Sequence, residues 1–304
     1  NTFDICIALG APMFVYILLN GPIELPSYGA VGALRIGLLA FTILVIALLL
    51  VPKKIRLWTG WTLAAMYAAW SASHFTGPIH AISIIGGDFP KEEIKKLEDR
   101  GVKFEGVEVV EDGKSFFWSG RYHMDMNTRD TLVTELNVLE QFNPQIPDSY
   151  QNSDFLFLGN LTPDVQMQVI DQMKERPKLV VMDTMNFWMD IALDGLKAVL
   201  KKVDVLMVND SEARQLSEEY SLVKAAQKIQ EMGPKFVIIK KGEHGALLFH
   251  GKNVFSAPAL PLEEVFDPTG AGDTFAGGFM GHLAATKDMS FENMKTAIIV
   301  GPAL

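Results

Sequence analysis

The sequence predicts an α/β fold built on a parallel, doubly wound sheet, and three observations predict it. From His80 onward, short apolar segments alternate with charged, amphipathic ones, the pattern of buried strands covered by helices on both faces. Late in the chain a Gly-rich turn leads into a helix of small residues, a combination that lets backbone approach a ligand closely. Charge is unevenly placed: residues 1–60 hold Asp4, Glu24, Arg35, Lys53, Lys54 and Arg56, a net +2, and since the whole chain carries −9, residues 61–304 carry −11.

In chain order, residues 5–19 (ICIALGAPMFVYILL) and 29–51 (GAVGALRIGLLAFTILVIALLLV) read as two hydrophobic helices. The second is long enough to cross about 30 Å of hydrocarbon. Arg35 can snorkel near one end, Lys53, Lys54 and Arg56 follow directly, and Trp58 and Trp61 suit an interface. A pair of buried core helices is the alternative. Residues 1–60 are therefore expected to form one hydrophobic, membrane-spanning unit and residues 61–304 a second. Residues 61–75 (WTLAAMYAAWSASHF) fit either a third span or a helix packed on a sheet. Ala81–Ile85 reads as a buried strand and Lys91–Arg100 as an amphipathic helix. Phe104–Val110, Ser115–Arg121 and a stretch to Leu136 read as a small antiparallel β unit. Buried strands follow at Asp154–Leu158, Leu179–Met182, Val205–Val208 and Phe236–Ile239. Helices follow at Pro163–Lys174, Ala192–Lys201, Ser211–Glu218 and Leu222–Met232.

The acidic balance argues against nucleic acid as a partner, because a phosphate backbone needs clustered Lys and Arg. Cys6 is the single cysteine, which excludes an intrachain disulfide and a Cys-based metal site. The six histidines (74, 80, 123, 244, 250, 282) lack metal-ligand spacing. The chain begins at Asn1 and ends within an apolar run at Leu304, so both ends read as cut.

The chemistry concentrates in Asp267-Pro-Thr-Gly-Ala-Gly-Asp-Thr-Phe-Ala-Gly-Gly-Phe-Met280. A strand over Glu264–Phe266 is expected to feed this turn. Gly270, Ala271 and Gly272 can present N–H groups to an anion, and the helix beginning near Asp273 aims its positive end at the same point. The Asp273 carboxylate can take a proton from a substrate hydroxyl while those groups stabilise a moving phosphoryl. Asn209-Asp-Ser-Glu212 follows a buried strand and reads, from its residue types, as a helix cap. Lys240-Lys-Gly-Glu-His-Gly245, Gly86-Gly-Asp-Phe89 and Asp183-Thr-Met-Asn186 also lie at strand ends, where open α/β sheets bind ligands; the last of these reads equally as a cap.

The 14 residues from Asp267 to Met280 resemble the second signature of the PfkB family of carbohydrate kinases. The resemblance covers about four fifths of the chain and starts near Trp61, with Tyr67–Phe75 as the family's first helix. It implies a ribokinase-like three-layer α/β/α sandwich with a small β lid, here preceded by hydrophobic helices. It implies transfer of the ATP γ-phosphate to a hydroxyl of a sugar or nucleoside, with ATP and Mg²⁺ bound. Asp273 is the implied base and Gly270, Ala271 and Gly272 the anion hole. Asn209 and Glu212 are implied to place Mg²⁺ through water. Lys241, Gly242 and Gly245, with Asp267 and Thr269, are implied for the nucleotide, Lys241 standing where the family has Thr. Phe104–Leu136 resembles the substrate lid, with Trp118, Arg121 and Asn137, and Asn186 from its strand end, as candidate acceptor contacts. Two chains could pair through that lid. The family's first strand and its di-glycine have no counterpart, Thr62 and Leu63 standing in the latter's place. Two spans would put the kinase in the cytoplasm, anchored through residues 1–56. The rival readings are a membrane-tethered pseudokinase and a membrane-protein fragment fused to a kinase fragment.

Overall fold

The computed structural model describes residues 60–301, apart from 125, 127, 128 and 266. The hydrophobic helices expected over 5–19 and 29–51 lie outside the described residues, as does the expected absence of a family-like first strand.

The first described element, α1 (Gly60–Ala72), spans 13 residues. At 1.5 Å per residue that is about 20 Å, short of the roughly 30 Å hydrocarbon thickness. No helix among the described residues is long and apolar enough to cross a membrane. Of the two readings of 61–75, the packed helix is the one observed. It leads into β1 (Ile79–Gly86), then α2 (Lys91–Glu98) and β2 (Val102–Val110). Strands β1 and β2 pair in parallel, Ile79 opposite Val102 and Gly86 opposite Val110. This corrects the expectation that Phe104–Val110 belongs to an antiparallel lid. The intervening helix returns the chain to the same end of the sheet, which forces a parallel crossover. The lid is a two-stranded hairpin of β3 (Phe117–Tyr122) and β4 (Arg129–Glu135).

The main sheet has the order β10-β9-β8-β7-β6-β5. Its strands are β5 (Phe155–Leu158), β6 (Leu179–Asp183), β7 (Val205–Asn209), β8 (Phe236–Lys240), β9 (Ala246–His250) and β10 (Asn253–Ala257). Strands β5 to β8 are parallel as expected. Strands β9 and β10 add an antiparallel hairpin, so the sheet is mixed rather than purely parallel. The strand expected over Glu264–Phe266 is absent where it can be seen: Glu264 and Val265 are irregular.

Period-two alternation builds the three layers. Val180, Met182, Leu206, Val208, Val237 and Ile239 face one core, with α3 (Pro163–Asp171), α5 (Leu193–Leu200), α6 (Asp210–Ser217) and α7 (Leu222–Glu231). Val181, Val205, Met207, Ile238 and Leu248 face the other, with α8 (Ala271–Thr286) and α9 (Phe291–Val300). A short helix, α4 (Asn186–Ile191), follows β6. Helix α8 also lies against α1, and its small residues are the reason: a Cβ at Gly277 would stand 2.1 Å from the Ala68 carbonyl oxygen, and one at Gly281 2.8 Å from Ala72 Cα. Backbone meets backbone there, and a side chain would push the two helices apart.

Candidate active site

Strand parity brings the polar ends together. Asp183 lies two residues past Val181, Asn209 two past Met207 and Lys240 two past Ile238, and all three apolar residues point toward α8. The next residue of each strand in that row is therefore polar: Asp183 and Lys240 pair beside the start of α8, while Asn209 turns its side chain to cap α6. Asn209 and Lys240 are register partners on the adjacent strands β7 and β8.

Gly270 starts α8 in the left-handed conformation, φ +79°, a region that strongly favours glycine. Added bulk has no room there: a Cβ would lie 2.3 Å from the Tyr67 ring. Ala271 N–H donates to the Pro268 carbonyl at 3.1 Å and Thr274 N–H to the Gly270 carbonyl at 2.8 Å. Asp273 sits in the first turn, where helical N–H groups lack intrahelical partners. Asp267 braces the turn, its Oδ1 accepting from Thr269 N–H at 2.9 Å. The Thr269 hydroxyl donates to Tyr122 Oη at 3.1 Å, joining the turn to the lid hairpin. Burial, and then the Asp267 and Asp273 carboxylates, hold the Tyr67 phenol above the usual tyrosine range.

Lys240 Nζ lies 3.3 Å and 3.5 Å from the two Asp183 oxygens, with side chains only 19% and 9% exposed. The same Nζ is 3.1 Å from where a Gly272 Cβ would stand, placing the ammonium against the first turn of α8. Burial works against its charge; Asp183, then Glu212 and Asp273, outweigh it and hold Lys240 above the usual lysine range. Asp183 is itself fixed. Its Oδ1 accepts from Thr184 N–H at 2.9 Å, and its carbonyl accepts from Gln166 Nε2 at 3.1 Å.

The Asn209–Glu212 motif forms a complete capping box on α6. Glu212 N–H donates to Asn209 Oδ1 at 2.8 Å, and Asn209 N–H donates to Glu212 Oε2 at 2.7 Å. Both readings of the motif thus coexist: the cap is present, and the buried Glu212 carboxylate contributes charge at Lys240. Lys241 precedes a 3₁₀ turn over Gly242–His244, and its N–H donates to the Gly245 carbonyl at 2.8 Å, closing the loop.

The acceptor candidates are placed as follows. Arg121 pairs across the hairpin with Asp130 at 3.6 Å, both well exposed. Trp118 Nε1 donates to Thr131 Oγ1 at 3.3 Å on the same hairpin. Asn137 spends its amide on the Ser115 carbonyl at 2.9 Å. Asn186, at the start of α4, donates to Gln215 Oε1. The Gly86–Phe89 turn is tied to the lid's approach, since Asp88 Oδ1 accepts from both the N–H and the hydroxyl of Ser115 at 2.7 Å and 2.9 Å.

Sequence reading assigned no role to Lys240 and looked instead at Lys241. Parity was the available signal: Val237 and Ile239 face one layer and Phe236 and Ile238 the other, so Lys240 continues the row toward α8 and Lys241 does not. Tyr67 and Tyr122 were missed because only the tertiary fold brings them to the turn.

Residues 64–295 match the pfkB family carbohydrate kinase model. The chain is 30% identical over 223 residues to the cytidine kinase of Thermococcus kodakarensis, spanning 71% of this chain and 78% of that one. It is 28% identical over 179 residues to the adenosine kinase of Saccharomyces cerevisiae, spanning 52% and 53%. Among solved structures, it is similar to a candidate ribokinase II of E. coli in complex with ATP and Mg²⁺, with TM-score 0.66, 22% identity, and coverage of 79% and 80%. It is also similar to the Burkholderia thailandensis nucleoside kinase in complex with inosine, with TM-score 0.62, 20% identity, and coverage of 79% and 78%. These two likenesses establish the ribokinase-like fold. Together with the match over most of the described residues, they lead to one conclusion: the chain belongs to the pfkB family of carbohydrate kinases.

Proposed function

We infer that the chain is an ATP-dependent phosphotransferase that moves the γ-phosphate to a hydroxyl of a sugar or nucleoside. The observation that carries this reading is the first turn of α8, where Asp273 and the Gly270–Gly272 backbone stand beside the Lys240 ammonium. A carboxylate for the proton and donors for the phosphoryl oxygens are what this transfer needs.

The fit to a nucleotide phosphate rests on the same turn. Gly272 leaves the space a Cβ would fill, and Lys240 faces it. Asp273 takes the proton of the acceptor hydroxyl as its oxygen bonds to the γ-phosphorus; the bond from that phosphorus to the β–γ bridging oxygen breaks, and ADP leaves. In this reading Gly270, Ala271 and Gly272 form the anion hole, and the Ala271 N–H, which donates to the Pro268 carbonyl at 3.1 Å, must turn from it to meet a transferred oxygen. Gly242 and Gly245 shape the loop for the nucleotide beside Lys241, with Asp267 and Thr269 bracing the catalytic turn. Among the described residues no three His, Cys, Asp or Glu side chains converge as a metal cage. Mg²⁺ bound with the nucleotide would neutralise charge on the phosphates, and Glu212 and Asn209 would order its water. Arg121, Asn137 and Asn186 are weaker candidates for acceptor contact, because each already has a protein partner.

The acceptor is best sought first among nucleosides, as the names of the cytidine and adenosine kinase relatives suggest. The test is ADP release from Mg·ATP across a panel of nucleosides and sugars, run beside Asp273→Asn. Turnover by the parent with loss in the variant supports the reading. Turnover by neither, with ATP still bound, favours the pseudokinase reading. Two further readings rest on sequence and surface. The 29–51 segment suits a membrane span with the kinase on the cytoplasmic side; membrane fractionation of the full chain tests it. Exposed Leu132 and Val133 on the hairpin suit pairing of two chains through the lid; light scattering after size exclusion tests that.

A further inference from the structure

We propose that Lys240 is the cation that meets the transferred phosphoryl group, and that Asp183 is a positioning residue that holds it over the first turn of α8. The proposal rests on the kinase reading above and goes beyond it.

The placement of the lysine argues against a purely structural ion pair. A cation at a helix N-terminus sits at the wrong end of the helix dipole. Its Nζ nevertheless stands against Gly272, at the positive end of a 16-residue helix. The dipole opposes the charge there, the carboxylates of Asp183, Glu212 and Asp273 offset it in the resting protein, and an anion occupying the turn would add to them. The pairing is also loose: 3.3 Å and 3.5 Å exceed the roughly 2.7–2.9 Å of a well-formed charge-assisted bond. Asp183 cannot follow the lysine, being fixed by Thr184 N–H and, through its carbonyl, by Gln166. The long lysine stem can. Glu212 and Asp273 also lie within electrostatic reach and help keep the ammonium charged, with Asp183 at hydrogen-bonding distance. The expected movement is of Nζ from the Asp183 carboxylate to the γ-phosphoryl oxygens, while Asp183 keeps the side chain from collapsing onto Asp273.

The γ-phosphate is what ATP has and ADP lacks, so the test is the ratio of their affinities. Calorimetry with Mg·ATP and Mg·ADP is run on the parent, Lys240→Met, Lys240→Arg and the exposed-turn control Lys252→Met. The double variant Asp183→Asn/Lys240→Met is included because Met alone strands the Asp183 carboxylate. In Lys240→Met and in the double variant, ATP affinity is expected to fall about ten- to a hundredfold, as for loss of one charge-assisted hydrogen bond, with ADP affinity within threefold. Lys240→Arg should recover part of the loss and Lys252→Met should match the parent. Parallel loss of ATP and ADP, no loss of either, or recovery of ATP affinity in the double variant would overturn the proposal, the last by showing that Lys240 only neutralises Asp183. A parent that binds ATP but turns over no acceptor leaves this affinity ratio as the deciding measurement. A parent that binds neither nucleotide overturns the kinase reading and this proposal with it.

Discussion

Glu212 is the residue on which a structural and a catalytic role can be separated by one substitution, Glu212→Gln. The residue is 5% exposed, and its carboxylate accepts from Asn209 N–H at 2.7 Å, half of a reciprocal cap. Gln can keep that bond, because its amide oxygen also accepts. What is lost is charge: roughly 1 kcal/mol between a charge-assisted and a neutral bond, and about 0.3–1 kcal/mol with the helix dipole. At about 2–4 °C per kcal/mol for a body of this size, Tm should fall by roughly 2–8 °C. Ser290→Ala provides a control matched for stability. It removes the bond from Asn293 N–H to the Ser290 hydroxyl, 3.3 Å, at the start of α9, and cap loss of this kind costs about 1 kcal/mol. If Glu212 orders metal-bound water, Glu212→Gln should raise the Mg²⁺ concentration for half-maximal turnover about tenfold or more, as outer-shell losses do, while Ser290→Ala leaves it unchanged. The assay is initial rate against free Mg²⁺ at saturating ATP. A Glu212→Gln titration that overlays the parent's, with the Tm loss present, would refute the metal role and leave the cap alone.

Asp273→Asn should lower kcat by about 10²–10⁴-fold, the usual cost of a lost general base, and leave the Kd for Mg·ATP nearly unchanged; activity within threefold of the parent removes Asp273 from the mechanism. Gly277→Val should lower Tm by several degrees in thermal melts, since its Cβ would meet the Ala68 carbonyl at 2.1 Å and overpacking costs about 1–3 kcal/mol; an unchanged Tm would show that α1 does not pack on α8 as described. Tyr122→Phe removes the acceptor of the Thr269 hydroxyl bond and should raise the acceptor KM by about three- to tenfold, with ATP affinity intact; equal KM values would mean the bond does not couple lid to turn. Because Lys240 titrates above the ordinary lysine value of 10.5, its contribution to stability is present below that value and lost as pH rises past it. Denaturation of the parent and of Asp183→Asn/Lys240→Met should therefore differ by a constant amount from pH 7 to 10 and converge only above; convergence at lower pH would show that the lysine is not held charged.

What the sequence made legible, and what it did not, divides along physical lines. The four parallel strands were readable because each is buried on both faces, so that Val205 to Val208 is one apolar run. The Asp267–Met280 turn was readable because its residue types are constrained locally: Gly270 needs φ +79° and Gly277 a bare backbone. Strand β2 was assigned to the wrong sheet because Lys103 and Glu105 alternate with Val102 and Phe104 as on a half-exposed ribbon; strand direction depends on the helix between β1 and β2, and alternation says nothing about it. The β9–β10 hairpin was missed although His250-Gly-Lys-Asn253 carries a turn signal. The bond from Thr269 to Tyr122 spans 147 residues, and no periodicity reports such a separation.

The Lys240 row sharpens this division, because it was legible in principle. In a sheet covered on both faces, each strand carries two interleaved rows, and a polar residue at the strand's C-terminal end inherits the face of the residue two before it. Applied to β6 and β8, that rule puts Asp183 and Lys240 on the α8 side, whereas Asn209, in the same row of β7, is drawn to the cap of α6. It also separates the adjacent lysines, since Lys241 inherits the opposite face from Ile239. The helix that enters on that side begins at Gly270, the one place in the turn where backbone must take a left-handed step. The crevice therefore follows from two local constraints, strand parity and one glycine dihedral. A family motif that names only the turn points to the proposed base and anion hole. The cation proposed to face them comes into view only when the strands are read as two faces.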